Sequence, residues 1–384
     1  MSLLTRPRTL TEARGDLHAG GDAPRGARMP VFTIERLGVV MVPEPGNPLE
    51  GEGVLNPAGV VGPDGHYYLF PRLVAAGNYS RIGLARVRRD GDDRPIGVER
   101  VGVVLEPEMP YEIIRPGTGG CEDPRITYLP CADIYVMAYT GLGLLGPHVA
   151  LASSRDLRTW RRHGLVDFAP EHGTDFNMYA NKDALLLPEP VVSPTGELAL
   201  AMLHRPIYEM WLGCDGAGSV PAPPPAGIAD ERPSMWISYC ALNDLDWLGG
   251  KEPPRFAHHH LLATPQQDWE ASRIGGGTVP LPTPAGWLTF YHGVHVRADG
   301  GRCYQTGALL LDRADPRQVL ARTAEPIFGP ELPEERVGMV DNVVFPTAVA
   351  ERGGGLDVYY GMADSRIGCV HLQAVAQAEM TDAA

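Results

Sequence analysis

The sequence predicts an all-β protein, built as a five-bladed β-propeller, and three observations carry that prediction. Forty-six glycines and 37 prolines in 384 residues punctuate the chain with turns and leave little room for helical periodicity. Short apolar and aromatic runs, each opened by a turn residue, recur five times. Counted from Gly65, Asp133, Glu197, Gly286 and Leu356, these runs begin at intervals of 68, 64, 89 and 70 residues. A period of that size with strand-like runs indicates radial repetition of antiparallel sheets, each burying its faces on its neighbours. A pair of β-sandwiches is the alternative architecture.

The modules follow in order. The first offers His66-Tyr67-Tyr68-Leu69-Phe70 and then Ser80-Arg81-Ile82-Gly83-Leu84-Ala85. The second offers Ile134-Tyr135-Val136-Met137-Ala138-Tyr139 and His148-Val149-Ala150-Leu151-Ala152-Ser153, followed by an Asp156-Leu157-x-x-Trp160 corner. In the third, Leu198-Ala199-Leu200-Ala201-Met202-Leu203 precedes Met235-Trp236-Ile237-Ser238-Tyr239-Cys240, and a related corner follows at Asp244-Leu245-Asp246-Trp247. The fourth has Trp287-Leu288-Thr289-Phe290-Tyr291 and the run from Tyr304 to Leu311, and the fifth Leu356-Asp357-Val358-Tyr359-Tyr360 and the run from Ser365 to Leu372. β-branched and aromatic residues between turns favour strands. The long third interval contains the Pro-rich residues 213–233, read as a loop insertion. Residues 31–375 are therefore read as one propeller domain, between an Arg-rich arm (1–30) and a short tail (376–384).

Charge and cysteine usage exclude several functions. Against 47 acidic residues there are 33 basic ones, a formal net charge of −14, which argues against nucleic-acid or anionic-membrane partners. No apolar run is long enough to span a bilayer, and the N-terminal arm has no apolar signal core, so a cytoplasmic protein is expected. Six scattered cysteines without a CxxC pair signal neither zinc nor a disulfide framework. No metal or cofactor is expected, and His258-His259-His260 reads as a solvated loop stretch. Only two of the basic residues are lysines, Lys182 and Lys251.

Polar residues near the innermost strands are the candidates for chemistry. Gly119-Gly120-Cys121-Glu122-Asp123-Pro124-Arg125 places two acids and a base in a turn before a strand, where a carboxylate could be held rigidly. Asn181-Lys182-Asp183-Ala184, His204-Arg205-Pro206 and Tyr291-His292-Gly293-Val294 bring a point cation, a planar fork and a titratable donor to equivalent ends of successive modules. That set suits an anion with several oxygens, such as phosphate.

These segments, with Leu187-Pro188-Glu189, Ile274-Gly275-Gly276-Gly277, Asn342-Val343-Val344-Phe345-Pro346 and Tyr359-Tyr360-Gly361-Met362-Ala363-Asp364, occur in an order that resembles glycoside hydrolase family 130 across residues 56–372. The resemblance implies a five-bladed propeller and a glycosyltransferase-type β-mannoside phosphorylase that uses inorganic phosphate as co-substrate. Asp123 then matches the catalytic acid, which in that family passes its proton through the mannose 3-hydroxyl. Lys182, Arg205, His292 and Tyr304 match phosphate-site positions, and Asn56, Arg72 and Asp364, with Arg125 and Asp183, substrate-binding ones. The products would be α-mannose 1-phosphate and a shortened acceptor. The alternative is a β-1,2-mannosidase with Glu270 or Glu334 as base. A furanosidase would need an early acid around Asn56-Pro57-Ala58, where there is none, and a propeller that only binds glycan would have no use for Asp123. A homo-oligomer is expected, with the arm as a contact.

Overall fold

The computed structural model describes residues 28–212 and 218–375. The N-terminal arm up to residue 27, the first five residues of the 213–233 insertion with Cys214, and the tail from residue 376 lie outside them. Nearly all regular structure is β, arranged as five successive antiparallel units of four main strands. Unit 1 runs through Gly53–Val61, Tyr67–Ala75, Tyr79–Arg89 and Pro95–Leu105, and unit 2 through Thr118–Leu129, Ile134–Gly143, Gly146–Ser154 and Arg161–Leu165. Unit 3 uses Ala180–Leu186, Leu198–Ile207, Met235–Ala241 and Arg255–Ala263, and unit 4 Arg273–Gly276, Gly286–Val296, Arg302–Leu311 and Val319–Arg322. Unit 5 has Val344–Arg352, Gly355–Met362 and Arg366–Ala374, and its fourth strand comes from the other end of the chain: Phe32–Met41 pairs antiparallel with Arg366–Ala374.

The runs picked out in the sequence are the second and third strands of every unit. Their side chains build five apolar clusters, each shared by two neighbouring units. Phe70 and Leu84 meet Ile126 and Met137 between units 1 and 2; Leu129 and Val149 meet Leu186 and Trp236 between units 2 and 3. Leu203 and Ile237 meet Trp287 and Leu309, then Phe290 and Leu310 meet Val358 and Val370, and Tyr359 and Cys369 return to Leu69 and Val54 of unit 1. A cluster at every junction, the last leading back to the first, explains why no unit can bury its faces alone.

A second repeat is ionic. Three units share one clasp: a glutamate at the end of a short helical turn accepts two backbone N–H groups, an arginine from the fourth strand and a tyrosine hydroxyl from the second. The sets are Glu112, Arg162 and Tyr139; Glu270, Arg322 and Tyr291; and Glu335, Arg36 and Tyr360. Unit 1 keeps the glutamate and arginine as Glu50 and Arg100. In unit 3 the corresponding region is a buried chain from Asn181 through His204 and Ser238 to His259.

Two readings are corrected here. Asp123 lies inside a twelve-residue strand, Thr118–Leu129, not in a turn before one. His258, His259 and His260 lie in the strand Arg255–Ala263, where His259 Nε2 bonds the Ala169 carbonyl at 2.8 Å. The 213–233 insertion begins as a hairpin, Glu209–Leu212 against Gly218–Pro221. No helix of the described residues is long and apolar enough to cross a membrane.

Candidate active site

The first strands of units 1, 2 and 3 break register at matched places: between Leu55 and Ala58, Glu122 and Arg125, and Lys182 and Leu185. At each break a short polar residue takes left-handed backbone angles, Asn56 at φ 43°, Asp123 at 46° and Asp183 at 57°. Asn and Asp tolerate that region better than other residues with a Cβ, and a bulge there redirects a side chain out of the pleat. The three bulges aim their side chains into one cavity of about 370 Å³. Unit 4 lines it with Arg273, His292 and Tyr304, and unit 5 with Phe345 and Asp364.

One half of the cavity is organised around carboxylates. Asp123 Oδ1 accepts from Asn56 Nδ2 at 2.9 Å and from Arg72 Nη1 at 3.2 Å. Arg72 is held in turn by Ser80 Oγ, Asn78 Oδ1 and Glu122 Oε1, at 2.8, 2.8 and 2.6 Å. Glu122 also reaches Lys182 Nζ at 3.2 Å, so it joins this half to the other. Burial alone would raise the Asp123 pKa, but Arg72, then Lys182 and Arg125, and the Asn56 hydrogen bond outweigh it and hold the carboxyl below its ordinary value. Asp364 goes the other way: burial and the nearby Asp123 charge push it up to about 6, against the pull of Arg72 and Lys182.

The other half gathers cations. Arg205 Nε bonds Asp183 Oδ2 at 2.6 Å, leaving Nη1 buried without a partner. Arg273 Nη2 donates to the Tyr304 hydroxyl at 2.6 Å. Lys182, a quarter exposed, has Glu122 as its ion-pair partner. Burial raises Asp183, yet Arg205, His292 and Arg125 outweigh that and bring it to about 2. The run Gly275-Gly276-Gly277 admits this packing: a Cβ on Gly275 would lie 2.3 Å from Asp183 Oδ2 and 2.7 Å from Arg205 Nε.

Nine of the ten site residues expected from sequence line the cavity: Asp123, Lys182, Arg205, His292, Tyr304, Asn56, Arg72, Asp364 and Asp183. Arg125 does not. Its guanidinium, 1% exposed, donates to the backbone carbonyls of Gly277, Asp123, Pro124 and Gly276 beneath the floor. His292 is present but wholly buried: burial brings its pKa down to about 3 against the pull of Asp183, 3.7 Å away, and Arg205 and Arg273 add to the lowering, so the neutral imidazole is favoured. The third cation is Arg273, which sequence reading passed over although it directly precedes Ile274-Gly275-Gly276-Gly277. Glu122, for which its motif implies no role, bridges the two halves through Arg72 and Lys182. Glu270 belongs to the clasp of unit 4, and neither it nor Glu334 lines the cavity. Among the described residues no cluster of His, Cys, Asp and Glu could hold a metal ion. Lys251 is exposed beside Asp246 at 3.6 Å.

A carboxylate cluster facing an arginine and lysine cluster across a cleft of this size is the arrangement expected where a neutral polyol meets an oxyanion. Comparison with known proteins agrees. The profile of glycoside hydrolase family 130, described as β-1,4-mannooligosaccharide phosphorylase, matches residues 46–378. The chain belongs to this family. Within it, the chain is 32% identical over 345 residues to the 1,2-β-oligomannan phosphorylase of Thermoanaerobacter sp. (strain X514), covering 87% of this chain and 94% of that one. A β-1,2-mannobiose phosphorylase of the same organism is 32% identical over 293 residues, 75% of this chain and 76% of the relative. The solved β-1,2-mannobiose phosphorylase of Listeria innocua, in complex with β-1,2-mannobiose, shares the fold of this family 130 chain with a TM-score of 0.64 at 22% identity, over 89% of this chain and 97% of that one. The matching family is one of glycoside hydrolases.

Proposed function

We propose that this chain is an inverting β-mannoside phosphorylase whose five units are the blades of a propeller, with the cavity at the axis. The observation that carries the reading is the division of the cavity into a carboxylate half around Asp123 and a cationic half of Lys182, Arg205 and Arg273. Asn56, Arg72 and Asp364 hold the terminal mannose. Phosphate lies against Lys182, Arg205 and Arg273, with Tyr304 and neutral His292 as further hydrogen-bonding groups, and attacks the anomeric carbon. Asp123 protonates the leaving oxygen by way of the mannose 3-hydroxyl, and α-mannose 1-phosphate departs with a shortened acceptor.

Phosphate is anionic on arrival, so no second carboxylate is required as base, whereas an inverting hydrolase places one about 6.5–9.5 Å from its acid. Fixed cations stabilise charge that redistributes during the displacement. Arg72 and Lys182 favour the ionised form of Asp123. An incoming dianion offsets Lys182 and the arginines behind it, which raises the Asp123 pKa and loads the acid only when the nucleophile is in place.

The relatives named above direct the first substrates to β-1,2-mannosides. The test is synthesis from α-mannose 1-phosphate with mannose, glucose, N-acetylglucosamine and chitobiose as acceptors, run beside phosphorolysis of β-1,2-mannobiose with and without phosphate. Free mannose released equally well in both conditions would replace this reading with a mannosidase.

A further inference from the structure

We infer that Arg125 is a positioning residue that sets the distance between the acid and the anion cluster; the inference rests on the phosphorylase reading above. Its side chain spans three units. From unit 2, Nη1 reaches back to the carbonyls of Asp123 and Pro124, both at 3.1 Å. Across the axis, Nε donates to the Gly277 carbonyl and Nη2 to that of Gly276 at 3.4 Å, both in unit 4. The guanidinium carbon lies 5.7 Å from the ring centroid of Phe345, in unit 5.

Each attachment bears on a reacting group. The Asp123 and Pro124 carbonyls are the backbone of the bulge that gives Asp123 its left-handed angles, a conformation costing on the order of 1–3 kcal/mol unless its surroundings impose it. Gly276 and Gly277 follow Gly275, whose backbone is packed on Asp183, Arg205 and His292, and their strand begins with Arg273. Phe345 also packs against His292 and Tyr304, ring centroids 4.3 and 6.3 Å away. One end of the fork therefore holds the acid's bulge and the other lies beneath the phosphate groups.

The chemistry of the residue fits this role and no direct one. Among the described residues Arg125 hydrogen-bonds to backbone carbonyls and to no carboxylate, and it does not line the cavity, which leaves it no direct contact with sugar or phosphate in this reading. A buried charge costs several kcal/mol unless hydrogen-bonded on all sides. Carbonyls on both sides of the axis, with Asp183 and Asp123 nearby, offset part of that cost here, while burial still holds the guanidinium's pKa below its ordinary value. Only a planar fork can serve carbonyls in two directions; a lysine in its place keeps the charge and reaches one of them. A displacement needs its nucleophile and its acid on opposite sides of the sugar, and misplacement by about 1 Å can cost about 100-fold.

The experiment compares Arg125→Lys and Arg125→Met with wild type by melting temperature, separate kcat and KM values, and pH profile. Arg125→Lys should fold, keep both KM values within about threefold and lose about 100-fold in kcat. Its alkaline limb should stay in place because the charge is retained, while Arg125→Met should move that limb upward as well. Wild-type kcat in Arg125→Lys overturns the inference. So does failure of both variants to fold, since the residue then holds the fold rather than the geometry. If wild type releases free mannose instead of mannose 1-phosphate, the phosphorylase reading falls, and the same kcat and KM split is read on hydrolysis.

Discussion

Asp364 keeps its proton up to about pH 6 because its carboxyl is desolvated within the cavity wall and because Asp123, in the same cavity, is ionised. Arg72 and Lys182 act on both carboxyls, but Asp123 receives hydrogen bonds from Asn56 and Arg72. Two acids sharing one set of cations thus hold different protonation states, the separation that assigns different tasks to like groups.

The pair makes stability pH-dependent in a direction opposite to that of an ordinary ion-paired aspartate. The Asp364 pKa is raised from 3.8 to about 6, so the folded state binds more protons than the unfolded one between these values. Stability contributed by this group is complete below the lower value and is lost as pH rises through the higher one. Asp364→Asn should therefore match wild type near pH 4 and exceed it at pH 7.5. At 1.36 kcal/mol per pKa unit the gain is at most about 3 kcal/mol, less screening by solvent at this partly open carboxyl. Urea unfolding at the two pH values measures it, and a gain independent of pH would refute the assignment.

Anion binding should draw in protons. Around Asp123 stand Asn56 and Arg72 from unit 1, Glu122 and Arg125 from its own strand, Lys182 and Asp183 from unit 3 and Asp364 from unit 5. A dianion against Lys182 and Arg205 offsets the charges that favour ionised carboxyls, so both aspartates become weaker acids in the complex. Binding of sulfate, which does not itself titrate here, should be accompanied by uptake of a fraction of a proton per site by the protein between pH 6 and 7. Calorimetry in buffers of different ionisation enthalpy reads this directly, and net proton release would contradict it.

The second and third strands of each unit were legible because they are turn-bounded and apolar, which is what burial between two neighbours demands. The first strands were not. Asp123-Pro124 reads as a turn starter, and proline argues against a strand interior, yet here Asp123-Pro124 and Asn56-Pro57 sit at bulges where the broken register accommodates them. The same feature hid the geometry that aims the site. Order of motifs brought nine cavity residues into view, but charge depends on burial that no motif displays, so His292 read as cationic and Arg273 was lost among 31 arginines. The clasps left a faint signal in Pro48-Leu49-Glu50, Pro110-Tyr111-Glu112 and Pro333-Glu334-Glu335, three Pro-x-Glu turns whose meaning appears only once their arginines are placed.

Lys182 and Arg273 make separate predictions. A charged hydrogen bond to an anion is worth about 1.5–3 kcal/mol, so Arg273→Ala and Lys182→Ala should each raise KM for phosphate by about 10- to 100-fold. Lys182→Ala should also collapse phosphorolysis while leaving any hydrolysis little affected. Tyr304→Phe, which removes the hydroxyl that receives Arg273, should have the smaller effect of the set. Initial rates at saturating mannoside and varied phosphate decide, and an unchanged KM in Arg273→Ala would remove it from the anion site.

Glu270 separates a structural reading from a catalytic one. Its carboxylate accepts the Gln266 and Gln267 backbone N–H groups at 2.9 and 3.1 Å, Arg322 at 2.6 Å and the Tyr291 hydroxyl. Every oxygen is engaged, it is fully buried, and Glu112 and Glu335 make the same contacts in other units. Breaking such a pair by neutralising one partner costs about 3–5 kcal/mol. Glu270→Gln should accordingly melt at a lower temperature while the folded enzyme keeps kcat/KM within about threefold, and Glu112→Gln should do the same. Were Glu270 a base that activates water, its substitution would abolish turnover and the Glu112 variant would not, so assaying the two side by side distinguishes a clasp from a catalyst.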